Sequence, residues 1–299
     1  MKFRARTYNL ALFLLCFVVK YLKFPNFVPD NITIEIYKLI VMKKAVIDMS
    51  VTANLSVNNR CVLLKLTPAD GSKLPECKPG QFVEMLVEGE PKAFLRRPIS
   101  INYVNKENNE LWLLIQMVGA GTNKLSKAAV GDVINIIYPL GNGFTMPSEP
   151  NKKVLLVGGG VGVAPLLMLG DELKKVGHTP IFLLGARTKT DLLLLDQFKS
   201  ISTTYVTTED ASEGEKGFVT QHSVLQKESF DFIYCCGPGP MMKAVAQYAS
   251  KVAIECEVSL ENKMACGIGA CLCCVENTTK GNVCVCKEGP VFNIKKLQW

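Results

Sequence analysis

Short apolar segments separated by turn residues run from Ala45 to about Phe144. They include residues 61–66 (CVLLKL), 81–88 (QFVEMLVE), 110–118 (ELWLLIQMV) and 132–138 (DVINIIY). Polar and apolar residues alternate within 81–88, and turn pairs such as Pro79-Gly80 bound the segments. Many short strands with little helix predict a small antiparallel barrel or sandwich.

The pattern changes after the polar residues 147–153 (PSEPNKK). A continuous apolar run at 153–158 predicts a buried strand, and residues 164–176 are compatible with a helix. Further strands are predicted at 180–185, 203–208 and 231–237, with helices at 191–199 and near 220–227. Strands that alternate with helices predict a parallel, doubly wound α/β sheet. We therefore expect a β-barrel domain at 45–146, an α/β domain at 153–254 and a cysteine-rich domain at 255–299, where this rhythm is lost.

Residues 1–44 form a predicted N-terminal extension, with an apolar run at 9–19 behind a basic start. The run is shorter than the ~20 residues that a membrane-spanning helix needs. Three interpretations stay open: a signal peptide or anchor, a soluble extension, or a sequence that is not native because translation starts at Met42. We favour the third, in which residues 1–41 are an over-extended start.

The net charge of +7 is concentrated in the same stretch. Residues 1–44 hold eight lysines and arginines and two acidic residues, so they carry +6 and leave +1 for all the others. The main body is therefore close to neutral and shows no basic stripe for a phosphate backbone. We expect neither a nucleic-acid partner nor a membrane.

The strongest chemical signal is a cluster of cysteines near the C-terminus. Of twelve cysteines, six lie between Cys266 and Cys286. Cys266, Cys271 and Cys274 have the C-x4-C-x2-C spacing of plant-type [2Fe–2S] sites, in which a later cysteine supplies the fourth thiolate. The sequence thus predicts a cluster of this kind.

The details of this segment leave alternatives open. Gly267 and Gly269 permit the left-handed backbone of a tight loop. Spacing alone allows either Cys284 or Cys286 as the fourth ligand, and Cys273 is interpreted as a neighbour of the site. A structural zinc site or unliganded thiols are the alternatives, although zinc sites usually show paired short spacings.

Two glycine-containing turns follow predicted strands of the α/β region. The first contains Gly158, Gly159, Gly160 and Gly162. Glycines between a strand and a helix let backbone amides approach a pyrophosphate, although a tight turn without a ligand is the alternative. The second is Cys236-Gly237-Pro238, which should face the same crevice because ligands bind at the carboxyl ends of the strands. A turn that only begins a helix is its alternative.

Two weaker motifs lie in the predicted barrel. They are Arg97-Pro98-Ile99-Ser100 and, later in the chain, Gly119, Gly121 and Thr122. An arginine suits a phosphate in bidentate geometry, and glycines permit close approach. A surface arginine and an ordinary turn would explain each motif separately.

In this order, the motifs resemble the ferredoxin-reductase superfamily, in which a flavin-binding barrel precedes a nicotinamide-nucleotide domain. The cysteine segment narrows the resemblance to the electron-transfer subunits of NAD-dependent (class 1B) dihydroorotate dehydrogenases. The residues that carry it are Ser259-Leu260-Glu261, the run from Met264 to Cys271, and the run from Cys286 to Phe292. The resemblance extends essentially from Lys44 to the C-terminus.

The resemblance implies a set of cofactor contacts. It assigns Arg97-Pro98-Ile99-Ser100 and the Gly119, Gly121 and Thr122 motif to FAD, with Ile99 where the superfamily has an aromatic residue. It assigns Gly158, Gly159, Gly160 and Gly162, together with Cys236, Gly237 and Pro238, to NAD. It makes Cys266, Cys271, Cys274 and Cys286 the [2Fe–2S] ligands, with Cys286 ahead of Cys284.

The implied function is electron relay between NAD(H) and the FMN of a dihydroorotate dehydrogenase catalytic subunit in pyrimidine biosynthesis. We expect a heterotetramer in the cytoplasm. A subunit of a ferredoxin:NAD(P) or sulfide-linked oxidoreductase is the alternative, and a zinc-bearing binding module without flavin is a more distant one. The choice between NADH and NADPH stays open, because Arg187 and Lys189 follow a strand where they could meet a 2′-phosphate.

Overall fold

The N-terminal part of the described chain folds as an antiparallel barrel. Its strands are β1 (Ala45–Asn58), β2 (Cys61–Pro68), β3 (Phe82–Met85), β4 (Arg97–Asn105), β5 (Glu110–Gln116) and β6 (Val133–Leu140). They close in the order β1-β2-β5-β4-β3-β6. Leu64 and Leu66 of β2, and Leu111 and Leu113 of β5, are fully buried in one cluster, as expected for alternate positions that face a barrel interior.

The structure, a computed structural model, describes residues 44–299, so the predictions for residues 1–43 lie outside the described part. Lys44–Trp299 form one compact unit. Within it, no helix combines the length and the apolar character that a membrane crossing requires.

A seven-stranded sheet follows the barrel, with its strands in the order β10-β9-β8-β7-β11-β12-β15. The strands are β7 (Lys153–Gly159), β8 (Thr179–Ala186), β9 (Thr204–Thr208), β10 (Glu215–Lys216), β11 (Phe232–Cys236), β12 (Glu255–Ser259) and β15 (Val291–Asn293). All neighbouring pairs are parallel except β12 and β15. The predicted fold class, a barrel followed by a doubly wound α/β sheet, is confirmed.

Six α-helices connect the strands of the described residues. They are α1 (Ala120–Leu125), α2 (Ala164–Lys175), α3 (Leu195–Ile201), α4 (Val224–Lys227), α5 (Gly239–Lys251) and α6 (Val285–Glu288). Helices α3 and α4 begin later than the sequence pattern predicts. Residues 189–191 form a 3₁₀ turn and Leu194 has a left-handed φ of 54°, so α3 starts only at Leu195. A second 3₁₀ turn at Val219–Gln221 precedes α4 in the same way.

The cysteine-rich segment contributes two strands to the main sheet, where the sequence pattern showed no further strand rhythm. β12 pairs with β11, and β15 pairs with β12. The pattern is obscured by Glu257, which is buried in β12 and accepts a hydrogen bond from the Thr145 backbone N–H at 2.9 Å. A separate two-stranded ribbon, β13 (Val275–Thr278) and β14 (Gly281–Cys284), lies between these strands in sequence.

The barrel and the sheet share contacts that position the ligand sites. Asn102 of β4 is fully buried, and its Nδ2 donates to the Ala164 carbonyl oxygen at the start of α2 at 2.9 Å. On another side, Asn58 Nδ2 donates to the Thr190 carbonyl oxygen at 3.0 Å. These bonds tie the first helix of the α/β sheet, and the loop after β8, to the barrel.

Candidate functional site

The two predicted FAD motifs meet in the barrel. A β-carbon on Gly121 would come within 2.5 Å of Arg97 Nε, so the arginine side chain lies directly against this glycine. Arg97 Nη1 also donates hydrogen bonds to the carbonyl oxygens of Leu95 and Arg96 at 2.8 and 3.1 Å. The fold therefore places a fixed cation beside a backbone segment without a side chain, which suits a phosphate group.

The other residues of the first motif, Pro98, Ile99 and Ser100, lie on the two faces of β4. Ile99 is buried in the barrel core. Pro98 and Ser100 are half-buried on the opposite face, where they pair with Glu84 and Phe82 of β3. Ile99 thus packs inside the barrel, and Ser100 keeps an accessible surface for a ligand.

A hydroxyl group shapes the turn of the second motif. Thr122 Oγ1 accepts hydrogen bonds from the backbone N–H groups of Val118 and Gly119 at 3.0 and 3.2 Å. No atom lies within 4 Å of the position that a Gly119 β-carbon would take. The turn is therefore fixed by the Thr122 hydroxyl on one side, and the space beside Gly119 is free on the other. Together with Arg97, these residues fit the pyrophosphate of FAD by charge and by space.

The two predicted nicotinamide-nucleotide turns also meet. A β-carbon on Gly162 would come within 2.5 Å of the Gly237 Cα, and one on Gly159 would come within 2.5 Å of Met241 Sδ and 3.2 Å of Pro238 Cδ. The loop after β7 and the turn after β11 are thus packed backbone against backbone. This packing requires glycine at Gly162, which meets main chain, whereas the near neighbour of Gly159 is the flexible Met241 side chain.

These turns form one end of a cavity of about 500 Å³. Gly159, Gly160 and Pro238 line it, whereas Gly158, Gly162 and Gly237 are buried behind them. Its wall continues along the carboxyl ends of β8 and β9 and includes Cys61 and Gln116 of the barrel. A crevice at the carboxyl ends of parallel strands is where open α/β sheets bind their ligands, and the volume is in the range of small-molecule sites.

The charged groups of this cavity come from distant parts of the chain. Arg60 at the β1–β2 turn forms an ion pair with Asp191, and Arg187 Nε lies 3.7 Å from the same carboxylate. Glu209 after β9 also lines the cavity. Sequence reasoning missed Arg60, Asp191 and Glu209. For Glu209, the position directly after a predicted strand was an available signal, whereas Asp191 lies five residues beyond β8 and Arg60 is brought in only by the barrel.

Cys236 lies at the end of β11 and is buried behind the cavity. Burial raises the pKa of its thiol, and the negative charge of Glu261 raises it further, while a hydrogen bond with the Ser259 side chain acts in the opposite direction. The group is therefore a neutral thiol at physiological pH.

The predicted cluster ligands lie in one loop and the helix beyond it. Gly267 and Gly269 have φ values of 66° and 85°, the left-handed conformation expected from the sequence. Cys274 and Cys286 are buried, Cys266 is half-buried and Cys271 is exposed. The loop thus joins a buried side to a solvent-facing side.

Backbone amides point at three of the four sulfurs. Gly269 N donates to Cys286 Sγ at 3.1 Å, Ala270 N to Cys266 Sγ at 3.3 Å, and Cys286 N to Cys274 Sγ at 3.4 Å. N–H donors of this kind stabilise thiolates and tune an iron–sulfur centre. The donor set therefore fits a thiolate-bound cluster.

Cys284, the alternative fourth ligand, lies at the end of β14 opposite Val275. Among residues 44–299, no backbone N–H donates to its sulfur, although its thiol contacts the Cys274 side chain. In the same range, no three His, Cys, Asp or Glu side chains are arranged around a single metal ion. A [2Fe–2S] cluster divides four thiolates between two irons.

Cys266 has an acidic thiol. Desolvation acts to raise its pKa, but hydrogen bonds from the backbone of Ile268, Cys271 and Ala270 and from the Cys271 side chain lower it to about 6. The thiolate, the form that binds metal, is therefore favoured at neutral pH.

Comparison with known proteins shows which family the chain resembles. A family model described as the iron–sulfur cluster binding domain of dihydroorotate dehydrogenase B matches residues 261–298, and one described as an oxidoreductase NAD-binding domain matches residues 156–247. The dihydroorotate dehydrogenase B (NAD(+)) electron transfer subunit of Bacillus velezensis is 39% identical over 261 residues, which cover 86% of this chain and 99% of the relative. The subunit of that name from Fusobacterium nucleatum is 38% identical over 253 residues, which cover 82% of this chain and 95% of the relative.

The chain belongs to the family of dihydroorotate dehydrogenase B electron transfer subunits. The resemblance inferred from the sequence is thereby confirmed. As a member of this family, the chain is an oxidoreductase subunit with an iron–sulfur binding domain and an NAD-binding domain. All four predicted cluster ligands fall within the matched residues 261–298.

Solved structures share the architecture of this dihydroorotate dehydrogenase B subunit family. The NADH-dependent reduced ferredoxin-NADP oxidoreductase of a study on electron bifurcation superposes with a TM-score of 0.74 at 30% identity, covering 86% of this chain and 91% of that one. Phthalate dioxygenase reductase superposes with a TM-score of 0.59 at 15% identity, covering 79% and 87%, and shows the fold alone.

One contact joins the barrel to the cluster loop. A β-carbon on Gly267 would come within 2.5 Å of Glu84 Cγ. Glu84 of β3 is fully buried, and neither carboxylate oxygen has a hydrogen-bond partner among the described residues. Desolvation raises the pKa of Glu84 to about 7 against the opposing charge of Arg96. In this family member, Gly267 of the cluster loop therefore packs directly against the buried carboxyl side chain of Glu84.

Proposed function

We propose that this chain relays electrons between NAD(H) and the FMN of a dihydroorotate dehydrogenase catalytic subunit, through FAD and a [2Fe–2S] cluster. The observation that carries the proposal is the cysteine loop, whose sulfurs accept hydrogen bonds from backbone N–H groups. The loop contacts Glu84 of β3, the strand that pairs with β4 and its FAD motif. The relatives named above are electron transfer subunits, which supports the same role here.

In the proposed division of the chain, residues 45–146 hold FAD, 153–254 hold NAD and 255–299 hold the cluster. Strands β12 and β15 of the third region complete the sheet of the second. When bound, FAD exchanges hydride and single electrons and the cluster carries one electron at a time, so that the pair joins two-electron to one-electron chemistry.

The chain's own residues bind and orient these groups. Arg97 would neutralise the FAD pyrophosphate, the turn at Gly119 and Gly121 would give it room, and Ser100 would offer its hydroxyl to FAD. The closely packed loops at Gly162 and Gly237 shape the nucleotide crevice. The proposed nucleotide site lies at the side of the sheet that faces the barrel, which the lining of the cavity by Cys61 and Gln116 supports.

Cys266, Cys271, Cys274 and Cys286 hold the cluster in this proposal. Cys286 is preferred to Cys284 because its sulfur accepts the Gly269 N–H and its side chain is fully buried. Cys271 is exposed, so the ligand set has one face towards solvent, where a partner subunit has access.

The proposed partner is an FMN-containing catalytic subunit, in a heterotetramer, with net flow from dihydroorotate to NAD⁺ in pyrimidine biosynthesis. The name shared by the relatives, electron transfer subunit, supports the existence of a catalytic partner. We place the complex in the cytoplasm, because a dense cysteine cluster that binds iron fits a reducing compartment.

A second candidate is a subunit of a ferredoxin:NAD(P) oxidoreductase. The superposition with the NADH-dependent reduced ferredoxin-NADP oxidoreductase, at 30% identity, favours it. The matched iron–sulfur domain at residues 261–298 and the higher identity of the relatives favour the dihydroorotate pathway.

An anaerobic visible spectrum of the chain purified with its native partner separates the two candidates. Flavin and iron–sulfur bands that bleach on addition of dihydroorotate support the first. Bands that bleach with NADH but not with dihydroorotate, together with a larger flavin and multi-cluster partner, support the second. A protein without such bands after iron and sulfide reconstitution contradicts both.

A further inference from the structure

The cations that could recognise a 2′-phosphate on the nucleotide are paired with acids. Arg187 Nε lies 3.7 Å from Asp191, which also pairs with Arg60. Lys189 Nζ lies 2.9 Å from Glu213 Oε2. Of the two basic residues that left NADPH open in the sequence, Lys189 is therefore balanced by a carboxylate of its own, whereas Arg187 shares Asp191 with Arg60.

Asp191 and Glu209 are the acidic residues that line the cavity, and of these two only Glu209 has no ion-pair partner within residues 44–299. It is exposed, it lines the cavity just beyond β9, and no lysine, arginine or histidine of residues 44–299 lies within ion-pair distance of its carboxylate. Its backbone N–H donates to the Ala186 carbonyl oxygen at 3.2 Å, which fixes it beside the end of β8. A negative charge is thus carried by this part of the cavity wall.

The order of the strands leaves two directions for a bound nucleotide. The glycine loop of β7 receives the pyrophosphate, and β11 with Pro238 lies on one side of it. β8 and β9 lie on the other side. With the nicotinamide half beside Pro238, as the resemblance implies, the adenosine half extends towards Glu209. The exposed ring of Phe218, which lines the same part of the cavity, offers an apolar surface for a base.

We propose that Glu209 sets the preference of this chain for NADH over NADPH. Its carboxylate accepts a hydrogen bond from a hydroxyl of the adenosine ribose and repels a phosphate at the 2′ position. An acidic residue that binds the ribose of NAD is the usual device of dinucleotide sites, and a 2′-phosphate needs a cation instead. The inference rests on the proposed function, because it takes the cavity as the NAD(H) site.

The test measures the affinity of the FAD-loaded chain for NAD⁺ and NADP⁺ by calorimetric titration. The oxidised nucleotides do not reduce the flavin, so binding is read without turnover. We expect the wild-type chain to bind NAD⁺ at least about tenfold more tightly than NADP⁺, as a screened charge repulsion of this kind predicts. Glu209→Gln should reduce the ratio of the affinity for NAD⁺ to the affinity for NADP⁺. Glu209→Arg should bring this ratio near one, or invert it, because the arginine strengthens the binding of NADP⁺.

Glu107→Arg is the matched control, because Glu107 is exposed in the β4–β5 turn and the charge change is the same. It should leave the ratio unchanged, and equal FAD content should show that each variant is folded. A wild-type ratio near one, or an unchanged ratio in Glu209→Arg, overturns the assignment of Glu209 while the NAD site stands. Binding of neither nucleotide by the wild-type chain overturns the proposed nucleotide site itself.

Discussion

Gly162 packs against the backbone of Gly237, so that a β-carbon on Gly162 would come within 2.5 Å of the Gly237 Cα and 2.6 Å of its nitrogen. Both partners are main chain, which cannot turn aside as a side chain can. The contact joins the loops at the ends of β7 and β11 and sets the width of the crevice between them.

Gly162→Ala should therefore force the two loops apart. We expect a loss of about 1–3 kcal/mol in the free energy of unfolding, as overpacking of a tight site costs, and at least a tenfold weaker binding of NAD⁺. Denaturant unfolding and calorimetric titration measure the two effects. Gly239→Ala is the control, since no atom lies within 4 Å of its β-carbon position and it begins α5. Equal behaviour of the two variants would contradict the packing argument.

Substitution of single cysteines should identify the fourth cluster ligand. Cys286→Ser should reduce the iron and acid-labile sulfide content and abolish the normal electron paramagnetic resonance signal of the reduced protein. Cys284→Ser and Cys273→Ser should retain both, because neither residue belongs to the proposed ligand set. FAD content should stay constant in all three. A normal signal in Cys286→Ser and its loss in Cys284→Ser would assign the ligand to Cys284.

Arg97→Ala should weaken FAD binding. The arginine lies against Gly121, and loss of a charge-assisted hydrogen bond costs roughly 1.5–3 kcal/mol, or about one to two orders of magnitude in affinity. Fluorescence of FAD released on dilution measures the dissociation constant. Lys92→Ala, which removes an exposed cation just before the same strand, should have no such effect. Retention of FAD by Arg97→Ala at wild-type affinity would place the pyrophosphate elsewhere.

The two buried glutamates should respond in opposite directions to methionine. Glu84 has no hydrogen-bond partner for its carboxylate, so Glu84→Met removes a desolvated polar group and should raise the free energy of unfolding by about 1–2 kcal/mol. Glu257 accepts the Thr145 N–H at 2.9 Å, so Glu257→Met leaves that donor unpaired and should lower the free energy by a similar amount. Urea unfolding at matched cofactor content measures both. A destabilised Glu84→Met would show that the carboxyl group has a partner in the loaded protein.

The sequence alone determined the features that depend on local spacing. The period of two before Phe144 and the alternation of strands and helices after Lys153 identified the barrel and the doubly wound sheet. The interval from Cys266 to Cys274 identified the cluster loop, because the ligands of a compact cluster must lie close along the chain.

Only the tertiary structure decided the features that join distant segments. The pairing of Arg60 with Asp191 and the seating of Gly267 on Glu84 connect the barrel to the α/β sheet and to the cysteine loop. The short strand β12 escaped prediction because its buried Glu257 finds its partner only across the fold. A sequence pattern records which side chains prefer to be buried, but the partner that satisfies a buried charge is chosen by the packing of the whole chain.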